Sequence, residues 1–165
     1  MSKSVNANPQ SSQLHWQTAP ELPPDIYTVW HKPNKALNPV AIIATVDFHG
    51  NPHTAPFGSV RAITSKKLRF ITWHGHSTYS NLQNNNSVMV AMVSPPHSAV
   101  SVRGKASVIK DRMDTDDKYA LIEIEIEEVK NDMVRRIVIE TAITVSVKDE
   151  YKDWFDASLG EAEEP

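Results

Sequence analysis

"DFHGNPHTAPF", residues 47–57, puts two histidines, a glycine and two prolines between apolar segments. Read as ligands, His49 and His53 suggest a metal or catalytic site. Read as backbone, "HGNP" is turn chemistry between two strands: Gly and Asn tolerate left-handed conformations, and proline resists the middle of a helix or sheet. The second reading fits the flanks better. "VAIIATVDF" (Val40–Phe48) is β-branched and apolar, and "HTAPFGSVRAI" (His53–Ile63) resumes an extended pattern that "TSKK" closes.

Downstream the same grammar continues. "LRFITW" (68–73) alternates as a strand, and "YSNLQNNN" reads as a short helix with Ser77 or Thr78 as its N-cap and asparagines at its end. "SVMVAMV" (87–93) is a buried strand and "SPPHS" a turn. "AVSVRGKASVIKD" (99–111) is a strand with a bulge or kink at Gly104. Residues 118–137 fit two templates. Tyr119, Ile122, Ile126, Val129 and Met133 form a helical stripe, yet Ile122, Ile124 and Ile126 alternate with glutamates, and three alternating β-branched residues favour a strand ending in a turn at "KND". "ITVSV" (143–147) is expected as a last short strand. "DEYKDWF" reads as a terminal helical turn and "GEAEEP" as a solvated acidic tail. No segment has the length of a crossover helix between early strands, so an antiparallel barrel or sandwich is expected.

Upstream, residues 1–13 are polar and expected to be disordered. From Leu14 to Pro39 five prolines accompany Trp16, Tyr27 and Trp30, which suggests an extended arm wrapped over the domain or a neighbouring subunit. The organisation expected is therefore a flexible N-terminus and Pro-rich arm (1–39), a barrel domain (40–150), and a C-terminal turn with an acidic tail (151–165).

At 165 residues one domain can bury roughly 70% of its unfolded surface without staples. The chain has no cysteine, which excludes thiolate zinc sites, cysteine nucleophiles and a disulfide framework; cytoplasmic residence is the default expectation. A net charge of −3 without a basic stripe argues against nucleic acid. No apolar run approaches the ~20 residues of a membrane span, and no signal core is visible. Of the seven histidines, His74 and His76 would point the same way on an extended segment and could join His49 and His53 around a metal. All four, however, sit in turn or strand-end contexts without a metal motif. There is no G-x-S-x-G elbow, dinucleotide fingerprint or Walker loop. "HGHSTYSNL" carries more: Ser77 and Thr78 at a helix start make either a plain N-cap or an anion site suited to phosphate.

The order of these pieces, "AIIATVDFHGNPHTAPFGSV", "LRFITWHGHSTYSNLQNNNSVMVAMV" and "AVSVRGKASVI", resembles the FMN-binding split β-barrel superfamily, the pyridoxamine 5′-phosphate oxidase-like proteins. The resemblance covers Val40 to about Asp111. It implies a mainly β, split antiparallel β-barrel of Greek-key type, with short helices and an extended N-terminal arm. It also implies a homodimer binding FMN at the subunit interface and an oxidoreductase acting on a small molecule. By the same resemblance Ala55, Pro56, Phe57, Gly58 and Ser59 lie along the flavin, Gly58 permitting close approach. Trp73, Ser77, Thr78 and Asn81 hold the phosphate. Many members carry Lys or Arg where this chain has Ser77 and Thr78. The missing charge-assisted bond, worth roughly 1.5–3 kcal/mol, would have to come from Arg61, Arg69 or Arg103. Arg61 is the first choice; as a strand residue it could equally face solvent. The C-terminal part lacks the oxidase's terminal arginine and histidine signature, so pyridoxamine phosphate oxidation is not carried over. A non-catalytic FMN-binding or storage module, a deazaflavin or haem ligand, and a histidine-based metal-binding barrel stay open as alternatives.

Overall fold

The computed structural model describes residues 16–164; the disorder expected for the first 13 residues lies outside them. Eight strands appear: β1 (Thr18–Ala19), β2 (Ala41–Val46), β3 (Pro52–Phe57), β4 (Arg61–Thr64), β5 (Lys67–Trp73), β6 (Ser87–Ser94), β7 (Ser98–Lys110) and β8 (Tyr119–Asn131). Among the described residues they accompany three α-helices: α1 (Pro24–Trp30), α2 (Ser77–Asn84) and α3 (Lys152–Glu163). Every strand pair is antiparallel. The sheet runs β3-β2-β6-β7-β8-β5-β4, with β1 on β8, and it curls without closing. β3 and β4 are consecutive in the chain yet form the two open edges, so the split falls at the Gly58–Val60 connection.

The opening stretch is a turn held by its own aspartate. Asp47 Oδ1 accepts the amides of His49 and Asn51, each at 2.9 Å, and Gly50 takes the left-handed conformation the turn requires, at φ +83°. His53 Nε2 lies 2.7 Å from Asp47 Oδ2. That bond, with the Asn51 and His49 amides, holds the Asp47 carboxyl down at about 2.

Residues 119–131 are a strand, because Ala120, Ile122, Ile124 and Ile126 all reach the core while alternate glutamates stay outside. It runs through Asn131, past the expected turn at "KND". Opposite Gly104 the register slips by one residue, since Gly104 pairs with Ile126 and Arg103 with Glu128. A Cβ on Gly104 would sit 2.3 Å from the Glu125 carbonyl oxygen, so the close approach of β7 and β8 there demands glycine.

Three other expectations are corrected. "HTAPFGSVRAI" is two strands broken at Gly58–Val60, not one. "ITVSV" is not a strand: it lies against the Asn38 segment through Val145 N–H to Asn38 Oδ1 and Asn38 Nδ2 to Val145 O, both 2.8 Å, without joining the sheet. The acidic end expected to be solvated continues the helix that starts at the expected helical turn, the 12-residue α3, whose Leu159 and Ala162 pack on Ile71, Met113 and Leu121. Acidic residues lie on its packed side because they are met there. Glu161 accepts from Lys110 Nζ at 3.1 Å and from the Asp114 and Thr115 amides, and Glu163 pairs with Arg61.

The N-terminal arm is less extended than its prolines suggest. Proline fits the first turn of a helix, and Pro24 starts α1, which buries Ile26 and Trp30 in the main core beside Val60, Ala62 and Phe70. No helix among the described residues is long and apolar enough to cross a membrane.

Candidate functional site

β3 has a strand partner, β2, on one side only. Its other edge therefore presents backbone N–H and C=O groups toward the split. Pro56 is exposed, and Ala55 and Phe57 are half-buried. The Phe57 ring meets Phe70 edge-on at 5.0 Å and His76 at 5.5 Å, which joins β3 to the region before α2. Gly58 and Ser59 form the turn out of β3. Ser59 Oγ accepts the Ile71 amide at 3.0 Å and so clamps that turn to β5. The space where Gly58 lacks a Cβ is filled by Leu37, 3.3 Å from the ideal Cβ position, so the glycine permits close chain packing there.

Two buried cations support the turn. Lys32, 2% exposed, has left-handed backbone (φ 49°) and donates through Nζ to Leu37 O at 3.1 Å and Gly58 O at 3.0 Å. Burial, and then the nearby Arg61 charge, lower its pKa to about 7. A neutral amine still has two N–H donors for those two carbonyls. Because the unfolded lysine keeps its proton up to about 10.5, the unfolded state binds more protons across this window, so stability rises with pH between about 7 and 10.5. We expect the wild-type chain to gain on Lys32→Met by up to about 1.4 kcal/mol per pH unit in that window. Urea unfolding at pH 7, 8, 9 and 10 checks this; a constant difference contradicts it.

Arg61 is wholly buried. Its guanidinium pairs with Glu163 and donates to Ala36 O at 2.7 Å, and its Nε donates to Ser59 O at 3.1 Å. It is not the solvent-facing strand residue: its Nε and both terminal nitrogens are bound within the protein. Arg69 is similarly taken, by Glu123 at 2.9 Å and by the α3 carbonyls of Ala162 and Glu164. Arg103 is exposed and pairs with Glu127 at 2.7 Å.

At the start of α2 the N-cap is His76, not Ser77 or Thr78: its Nδ1 accepts the Thr78 amide at 3.1 Å. Ser77 is exposed, whereas Thr78 is buried and Asn81 donates inward to Thr45 Oγ1 at 3.0 Å. Trp73, 51% exposed, folds its ring over Gly75, where a Cβ would lie 2.4 Å from the indole. Of the four residues expected at the phosphate, Trp73 and Ser77 face outward, and Thr78 and Asn81 are built into the core. The neighbouring cation that sequence reasoning missed is Arg112. It follows Asp111, whose carboxylate takes the Tyr79 hydroxyl, and its charge acts on that hydroxyl. His74 Nε2 lies 2.6 Å from Asp111 O. Among the described residues no three His, Asp or Glu side chains gather as a metal site requires.

Beside the β3 turn lies a cavity of about 520 Å³. Pro56–Ser59, Ile71 and Tyr119 line it from the sheet; residues 145–148 and Tyr151, Trp154, Phe155 and Leu159 close it.

A family model described as pyridoxamine 5′-phosphate oxidase matches residues 31–145, more than half of the chain. The chain belongs to the pyridoxamine 5′-phosphate oxidase family. Solved structures of similar fold include a provisionally named pyridoxamine 5′-phosphate oxidase from Lactobacillus delbrueckii, at 22% identity and TM-score 0.57, covering 69% of this chain and 98% of that one. HupZ of Group A Streptococcus follows at 18% identity and TM-score 0.56, with 75% and 99% covered. An F420 reductase matches at 16% identity and TM-score 0.52, with 66% and 98% covered. At these identities the likeness concerns the fold, a split barrel. No curated protein matches the chain.

Within this pyridoxamine 5′-phosphate oxidase-family chain, the matched region holds the β3 edge, the α2 start, Lys32 and Arg61. The cavity's aromatic cover, Tyr151, Trp154 and Phe155, lies beyond it. Sequence reasoning missed that cover because its signal, three aromatics within five residues, stood in a stretch dominated by acidic side chains.

Proposed function

We propose that this chain is an FMN-binding oxidoreductase acting on a small molecule, working as a cytoplasmic homodimer. The observation that carries the reading is the convergence, in a member of this family, of three features: the unpaired β3 edge, the end of β5 at Trp73, and the exposed Ser77 at the start of α2. The backbone of Ala55–Ser59 suits the polar rim of a flavin ring, Phe57 and Trp73 suit its faces, and Ser77 suits its phosphate. Thr78 and Asn81 fix the helix start instead of touching a ligand. Arg61 acts from behind, holding the turn through Ser59 O. FMN bound there supplies electron transfer, and the chain supplies orientation and shielding from water.

Pairing of two copies is supported by the outer face of β2 and β6. Ile42 faces Ala91 and Ala44 faces Met89 across the strands, and Val46 and Val93 extend the patch. An apolar sheet face of this extent is ordinarily covered by a partner.

A fluorescence titration of FMN with the full chain tests the reading. We expect saturable quenching at one FMN per protomer, and about tenfold tighter binding for Ser77→Lys, the effect of one charge-assisted bond at the phosphate. Absence of saturable binding in both sinks the reading. Turnover of NADH or NADPH by the FMN-loaded protein separates the oxidoreductase from a non-catalytic flavin carrier.

A further inference from the structure

The cavity's cover lies beyond the part of the chain that matches the family model. The match ends at residue 145, before Tyr151, Trp154 and Phe155. The chain crosses the mouth of the split as residues 145–148 and returns as α3, which is fixed by Arg61 to Glu163 and by Arg69 to its last carbonyls. Its aromatic residues meet the sheet in a defined geometry. Tyr119 and Trp154 rings lie 4.8 Å apart at 59°, and Trp154 and Phe155 lie 4.9 Å apart, edge to face. Trp154 Nε1 donates to Asp116 Oδ2 at 3.0 Å, which holds the indole in place.

The charge around this space is as informative as its shape. Neither Arg61 nor Arg69 is among the residues that line it, and both bond to carboxylates and carbonyls elsewhere. Lys148 is the one charged side chain among the lining residues, and it is exposed. Burial and the adjacent Asp116 push the Tyr119 phenol up, so it stays a neutral donor. An anionic group placed here would lose hydration against the apolar cover and find only the exposed, water-screened Lys148 as a counter-charge. A flat, uncharged ring system would gain apolar contact and stacking on the aromatic cover. About 520 Å³ lies within the ordinary range of small-ligand pockets.

We propose that the cavity between the β3 turn and α3 is a binding site for planar, uncharged aromatic molecules of about two fused rings. That such a molecule is the substrate rests on the flavin reading above; that it binds does not. The test is calorimetric titration of the full chain, with and without FMN, using 2-naphthol and its charged counterpart 2-naphthyl phosphate. We expect one 2-naphthol per protomer, bound at least about tenfold more tightly than the phosphate. Phe155→Ala, and Val145→Glu at the exposed wall, should each weaken 2-naphthol by about fivefold or more and leave FMN affinity unchanged within about twofold. Because Val145 is exposed, that variant keeps the fold where a core change would not. Equal or tighter binding of the phosphate overturns the proposal, as does 2-naphthol binding indifferent to both variants. Loss of 2-naphthol binding at high protein concentration, with self-association abolished by Val145→Glu, also overturns it and makes the cavity a contact between copies. If FMN fails to bind while the 2-naphthol pattern holds, the flavin reading falls and this site stands. If FMN binds and 2-naphthol does not, this site falls alone.

Discussion

Arg61→Leu is expected to lower the unfolding free energy by about 3–5 kcal/mol, among the largest effects of any single change in this chain. The guanidinium has no exposed surface. Burial lowers its pKa, and Glu163 opposes that shift and keeps it charged. Leucine removes the donors to Ala36 O and Ser59 O, leaving two carbonyls short of partners at a packed site, and it frees Glu163 at the end of α3. Glu163→Gln is a milder change: its side chain is 34% exposed, so the partner side is partly screened, and an amide oxygen still accepts. About 1–2 kcal/mol is expected there. Urea unfolding at one fixed protein concentration measures both, since self-association would otherwise shift the midpoint. A loss under about 1 kcal/mol for Arg61→Leu would show that water or a rearranged Lys32 replaces the guanidinium.

Trp30→Ala should cost about 3–5 kcal/mol as well. Trp30 is the largest fully buried side chain, packed with Leu22, Ile26, Val60 and Phe70 in the main core. Its indole lies under Lys32 Nζ at 5.1 Å from the ring centroid, so truncation opens a void next to the buried cation that steadies Gly58. Among the described residues its Nε1 finds no hydrogen-bond partner. Trp30→Phe removes that unsatisfied donor with part of the volume and is expected to cost less than about 1.5 kcal/mol. The contrast between the two substitutions, read as midpoint shifts in urea, is the sharp measurement. A neutral Trp30→Ala would mean that α1 is a detachable arm.

These two residues mark where local sequence stops being informative. Arg61 reads as an ordinary strand position, and only the return of α3 brings Glu163 to it from 102 residues away. Trp30 stands among prolines that suggest an extended arm, and a seven-residue helix this short has no stability of its own apart from what it packs against. The end of α3, from Gly160, reads as a solvated tail for the same reason. Its glutamates look solvent-bound until Lys110, the Asp114 and Thr115 amides and Arg61 are placed opposite them. The α2 cap shows a smaller version: Ser77 and Thr78 have the better intrinsic propensity, but the Phe57–His76 contact sets the ring whose Nδ1 takes the Thr78 amide.

The sequence by itself determined most of the strands and the turn after β2. The β-branched apolar runs at 41–46 and 87–94, the alternating isoleucines and glutamates of 122–127 and the Asp-x-x-Gly-Asn turn after β2 are local signals, encoded in which face each side chain takes and which backbone angles each residue tolerates. It also carried the family, because the order of those strands repeats a known pattern. Tertiary structure alone decided which polar groups are free to meet a ligand. Thr78 and Asn81 are buried and Arg61 is wholly buried and paired with Glu163, whereas Trp73 and Ser77 are left outside. It alone also built the aromatic cavity. Hydrogen-bond partners and cavity walls come from residues far apart in the chain, and no local pattern records which of them will meet.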